Sequence, residues 1–165
     1  MKNIISFSEK TWVEGAENTE FPIQNLPFGI FSTGRGDHRV GVAIGNYVLD
    51  IYRVFQQNHI SALPFGSEEY RTHSLNKMMK HGKKACSALR MRLADLLNNN
   101  QDAVVKDEIR SCLIKMNEVQ MHLPIEIGDY TDFYSSMDHA RNVGTMFRDP
   151  EKALLPNWKH LPVGY

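Results

Sequence analysis

Asp132, Tyr134, His139, Arg148 and Tyr165 fall within one short stretch, Met121 to Tyr165, and their types are those of a small active site. Between them they offer an oxygen ligand, a phenol, a titratable imidazole, an anion clamp and a second phenol. In an extended segment successive side chains alternate faces, so Asp132 and Tyr134 would share one wall while Phe133 turns to the other. A lone aspartate in a loop serves equally well as a turn or cap residue. One carboxylate cannot by itself hold a hard cation that demands several oxygens.

Ser135 to Asp138 has the Ser-x-x-Asp form of a helix start, with Ala140, Val143, Gly144 and Phe147 continuing inward. His139 then lies in or beside the first turn, where the positive end of the helix dipole disfavours a protonated imidazole and suits a general base. A surface histidine without a task fits the same spacing. Arg148 follows the helix and either complements its C-terminal dipole or forks onto a substrate carboxylate. Asp149-Pro150 and Pro156-Asn157-Trp158 impose irregular backbone, and the apolar Leu-Pro-Val-Gly-Tyr end is expected to be a cut inside a domain. The stretch reads as half of an active site.

The elements that must position these groups begin with a polar, Glu-rich lead-in over residues 1–20, expected to be loosely held. Phe21 to Ser32 contains two prolines and several aromatics and reads as extended. Gly34-Arg35-Gly36-Asp37 makes a turn, whose inner tripeptide is too short to argue for adhesion. Val40 to Ile44 and Tyr47 to Ile51 flank Gly45-Asn46 as two strands flank a hairpin turn, in a small β unit packed as a partly open barrel or sheet. Residues 55–82 carry no clear period. Lys83 to Leu97 and Val105 to Met116 have helical spacing, and Asn98 to Asp102 loops between them, so an antiparallel helix pair is expected. Their charged faces read as solvated surface. A change of texture around Glu118 to Pro124 marks a domain boundary, giving 1–120 and 121–165.

The 165 residues, 42% hydrophobic and 23% charged, suffice for one domain with a core or a small domain plus part of another. Nineteen basic and nineteen acidic side chains cancel, which argues against nucleic acid or an anionic membrane and for a small-molecule or protein partner. Ile4-Ile5 and Phe7 are too short a run for a signal peptide or a membrane span, and the chain reads as cytoplasmic. Cys86 and Cys112 lie in separate helical segments and read as buried reduced thiols. His38, His59, His73, His81, His122 and His160 show no metal-ligand spacing.

Phe-Pro-Ile-Gln-Asn-Leu-Pro-Phe-Gly-Ile-Phe-Ser at 21–32 and Gly-Val-Ala-Ile-Gly at 41–45 resemble the amino-terminal domain of the fumarylacetoacetase family. Thr-Asp-Phe-Tyr at 131–134, Ser-Ser-x-x-His at 135–139, Met-Phe-Arg at 146–148 and Leu-Pro-Val-Gly-Tyr at 161–165 resemble it more specifically. Residues 52–120 fit only as a broad pattern, and the first twenty are unmatched. The resemblance implies an α+β chain: a small SH3-like β-barrel with a helical pair over 1–120, then the opening of a mixed β-roll catalytic domain over 121–165. By motif, Asp132 corresponds to a ligand of a divalent metal, calcium or magnesium, and His139 to the general base that activates water. Tyr134, Arg148 and Tyr165 correspond to substrate-binding groups. The implied reaction is hydrolytic cleavage of a carbon-carbon bond in a diketo acid to fumarate and acetoacetate, in tyrosine and phenylalanine catabolism. Family members resemble homodimers.

The family's other metal carboxylates, its catalytic glutamate and its lysine and arginine electrophiles are expected beyond Tyr165, so the isolated chain is expected to be inactive. Two other readings remain open: a non-catalytic module that associates through an exposed core edge, and a related hydrolase or decarboxylase acting on another keto acid.

Overall fold

The structure, a computed structural model, describes residues 4–34 and 37–164. The chain divides into two compact units, Met1–Glu126 and Ile127–Tyr165. The expected boundary at 120/121 falls inside a strand of the first unit.

That unit is α+β and is built on a curled antiparallel sheet of five strands. These are β1 (Phe28–Ser32), β2 (Arg39–Ile44), β3 (Tyr47–Asp50), β4 (Leu113–Lys115) and β5 (Gln120–His122), in the order β4-β3-β2-β1-β5. The β2/β3 hairpin forms as its sequence predicts: Ile44 pairs with Tyr47 across Gly45-Asn46. Gly45 has φ of 57°, and a Cβ there would lie 3.0 Å from the Ala16 backbone, so both turn and packing call for glycine. Alternation along the strands separates two apolar faces. Ile30, Val40, Val42, Ile44 and Leu49 enter the main core, while Phe31, Val48 and Ile114 form a second cluster with Met116 and Val119.

Asp50 ends β3 and starts α1 (Ile51–Gln56), its side chain accepting from the Arg53 amide. The same buried carboxylate receives the Arg39 guanidinium at 2.8 Å. Burial pushes the Asp50 carboxyl above its ordinary value, against the pull of Arg39 and of the α1 amides. Residues 55–82 resolve into α2 (Ser67–Tyr70) and α3 (Asn76–Met79), single turns that bury Tyr70 and Met78. Their lack of a visible period follows from their shortness.

The expected helix pair is present as α4 (Gly82–Leu97) and α5 (Ala103–Arg110), with Asp102 capping α5 through the Val104 amide. Leu89, Leu93, Leu96 and Leu97 carry α4 into the core. The second helix is shorter than its spacing suggested, because Leu113 to Lys115 leave it to pair with β3. Ser111 Oγ donates to the Glu108 carbonyl at 2.6 Å as the helix ends, and the open edge of β3 supplies the ladder bonds that follow. Cys112 is buried at this junction and burial raises its thiol pKa, whereas Cys86 on α4 is only partly buried.

From Thr11 onward the lead-in is not loosely held. Thr11 Oγ1 donates to the Leu97 carbonyl at 2.7 Å and Trp12 Nε1 to the Leu96 carbonyl at 3.0 Å, while Val13 and Ala16 are buried. It thereby satisfies carbonyls that the C-terminus of α4 leaves open, a tertiary role that a count of polar residues does not reveal. Of the Gly34–Asp37 turn, Arg35 and Gly36 lie outside the described residues. No described helix is long and apolar enough to cross a membrane.

Candidate active site

The unit Ile127–Tyr165 holds every candidate site residue. Its main element is α6 (Met137–Thr145), capped by Ser136, whose Oγ accepts from the His139 amide at 3.3 Å. The cap is thus Ser136 and not Ser135, whose own amide donates to the Phe133 carbonyl at 2.8 Å. His139 takes the third position of the first turn, exposed, with Asp138 before it. Gly144 is buried against the Ala153 carbonyl, where a Cβ would collide. This close approach holds the chain after α6 against the helix.

Tyr134 is held from two sides. Its amide donates to the Val163 carbonyl at 2.9 Å, and its carbonyl accepts from Trp158 Nε1 at 2.6 Å. Phe133 forms an antiparallel bridge with Gly164 beside these bonds. The Tyr134 phenol ring stacks on the His139 imidazole, with centroids 5.4 Å apart and planes inclined by 23°. Tyr134 also joins Val143, Phe147, Arg148, Trp158 and Val163 in lining a cleft of about 320 Å³.

Tyr134 therefore meets His139 by stacking and shares a cleft with Arg148. Arg148 lies beyond the α6 C-cap, Met146, on an exposed connection that leads into the short 3-10 turn Pro150–Lys152. His139 and Asp132 do not line the cleft. Asp132 is exposed, and its Oδ1 accepts from the Phe133 amide at 2.8 Å. Tyr165 lies outside the described residues.

Calcium takes about six to eight oxygen ligands and magnesium about six. Among the described residues no three or more His, Cys, Asp or Glu side chains gather to hold either ion. Asp132 has the right donor chemistry for one ligand, and the described residues do not complete a set.

Phe147, Asn157 and Trp158, which the sequence places on the helix and in irregular backbone with no site role, all line the cleft. The usable signal was Trp158 itself, since a tryptophan N–H that leaves water finds an acceptor.

Fold and site together define an α+β module with a curled sheet, followed by a small unit that carries paired aromatic and ionisable groups around a cleft. Comparison with known proteins places it further. The family model described as fumarylacetoacetase N-terminal matches residues 24–124, and the chain belongs to that family. It is 47% identical over 162 residues to the fumarylacetoacetase of Homo sapiens and 44% identical over 160 residues to that of Caenorhabditis elegans. The Dictyostelium discoideum fumarylacetoacetase is 41% identical over 160 residues. Each alignment covers 94% of this chain but only 37–38% of the relative's own length.

Proposed function

We propose that this chain is the amino-terminal portion of a fumarylacetoacetate hydrolase, which cleaves a carbon-carbon bond of a 1,3-diketo acid to give fumarate and acetoacetate in tyrosine and phenylalanine breakdown. The observation that carries the reading is Tyr134, which stacks on His139 and shares a cleft with Arg148. In this reading His139 takes a proton from water as the water oxygen bonds to a substrate carbonyl carbon. The adjacent carbon-carbon bond breaks with its electron pair on the departing fragment, which leaves as an enolate and is then protonated. Tyr134, Arg148 and Tyr165 hold the substrate, Arg148 by a forked bond to its carboxylate. Asp132 contributes one oxygen to a divalent cation, calcium or magnesium.

The same reading makes the curled sheet an SH3-like domain over 1–120 and the segment 121–165 the start of a mixed β-roll catalytic domain, in a cytoplasmic homodimer. Among the described residues no three or more His, Cys, Asp or Glu side chains gather to hold a cation, and this reading makes the isolated chain inactive. The test is to supply the full-length gene product with fumarylacetoacetate and calcium or magnesium and to follow both products by NMR. Appearance of fumarate and acetoacetate in equal amounts is expected. The 165-residue chain under the same conditions should give neither, and full turnover there would overturn the view that essential groups lie elsewhere. No product from the full-length protein would favour a non-catalytic association module.

A further inference from the structure

The chain has two tryptophans, and each donates its indole N–H to a backbone carbonyl, but the two bonds do different things. Trp12 donates to Leu96 at the end of α4 and so completes a helix terminus. Trp158 donates to Tyr134 at 2.6 Å, across 24 residues, in the segment from which a candidate substrate-binding phenol projects.

Trp158 is well placed to act as a fixed post. It sits in the 3-10 turn Pro156–Lys159, where a proline opens the turn and the Trp158 amide donates to Leu155. The Leu161 amide closes back on Asn157 at 2.9 Å, so the turn is braced on both sides. The chain then returns so that Val163 takes the Tyr134 amide and Gly164 pairs with Phe133. Trp158 and Val163 together hold the carbonyl and the amide of one residue, which restricts rotation of the Tyr134 peptides and hence the direction of its side chain. The phenol in turn lies on the His139 ring.

We propose that Trp158 is a positioning residue: through its indole N–H it sets the Tyr134 phenol against the His139 imidazole and at the edge of the Arg148 cleft. For catalysis this rests on the hydrolase reading above; as geometry it stands without it. Trp158 is half-buried and its ring also walls the cleft, so a substitution must delete the N–H while keeping the ring.

The experiment compares the full-length protein with Trp158→Phe and with a protein carrying β-(3-benzothienyl)alanine at 158, an isosteric replacement that lacks only the donor. Trp12→Phe is the matched control, since it deletes the same kind of bond in the other unit. Two quantities are read: the ring-current shift of the His139 ring protons by NMR, and kcat and KM on fumarylacetoacetate. Loss of the donor should move the His139 resonances toward unstacked values. It should lower kcat by about 10-fold to 100-fold, as for a misplaced reacting group, with KM nearly unchanged. Trp12→Phe should lower the unfolding midpoint and leave both quantities where they were. Unchanged His139 resonances in the 158 variants would overturn the proposal. If the parent protein has no turnover, the hydrolase reading fails while the resonance comparison still decides the role of Trp158.

Discussion

Met1–Glu126 and Ile127–Tyr165 are ordered by different means. The first buries one face of a sheet and one side of a long helix in a large apolar cluster, and part of the other sheet face in a second, smaller one. Among the described residues of the second, only Gly144 and Ala153 are buried. A unit of that size has too little interior to supply much hydrophobic stabilisation, and its geometry rests on a helix cap, a glycine contact, a strand-like bridge and an indole bond. The unit with the core carries none of the candidate chemistry, and the unit with the chemistry has almost no core. Substitutions in the two should therefore fail differently: stability should respond in the first, activity and local order in the second.

The widest separation is expected at His139. Replacing it with alanine in the full-length protein should lower kcat/KM by about 10²- to 10⁴-fold, the usual contribution of a general base. The urea midpoint should hardly move, because the side chain is exposed. A large loss of stability with this variant would erase the contrast between the units.

Asp50→Asn probes the other side of the comparison. It keeps the oxygen that caps α1 but takes from the buried Arg39 guanidinium its 2.8 Å partner, leaving as its counter-charge only the half-exposed Asp37 carboxylate at 3.4 Å, and the Arg39 Nε already has no hydrogen-bond partner among the described residues. Removing one partner of such a pair costs about 3–5 kcal/mol. Urea unfolding of the 165-residue chain should show that loss. A midpoint equal to the parent's would mean that the pair contributes specificity and no stability.

A smaller effect is expected from Gly144→Ala, which drives a methyl group into the Ala153 carbonyl. Overpacking of this kind costs about 1–3 kcal/mol. Hydrogen exchange should quicken in α6 and stay unchanged in α4, and faster exchange in both helices would show that the units are not separable. Smaller again is Ser136→Ala, which removes the α6 cap at about 1 kcal/mol, while Ser135→Ala should do almost nothing. Amide exchange at His139 in the two variants separates them directly.

Much of the first unit was legible. The Gly45-Asn46 turn between two β-rich runs, and apolar spacing through Leu89, Leu93 and Leu96, are local signals, and both elements formed. Leu113 was misread because a residue at helical spacing beside an open sheet edge has two hydrogen-bonded options, and only the neighbouring strand decides between them. The lead-in was misread for a related reason: its docking depends on carbonyls at the end of α4 that are distant in sequence. In the second unit, the types of the site residues and the start of α6 could be read to within one residue of the cap. The cleft beside Arg148 and the indole bond from Trp158 could not, since each joins residues brought together by a chain reversal, and the stacking of Tyr134 on His139 depends on how the chain enters α6.

The sequence alone determined which chemical groups are present, where hairpin and helices begin, and to which family the chain is similar, because residue types, caps and turns act over a few positions. Tertiary structure alone decided which of those groups touch. Contact between distant segments depends on where the chain returns, and that is settled by packing and hydrogen bonds between residues far apart in the chain.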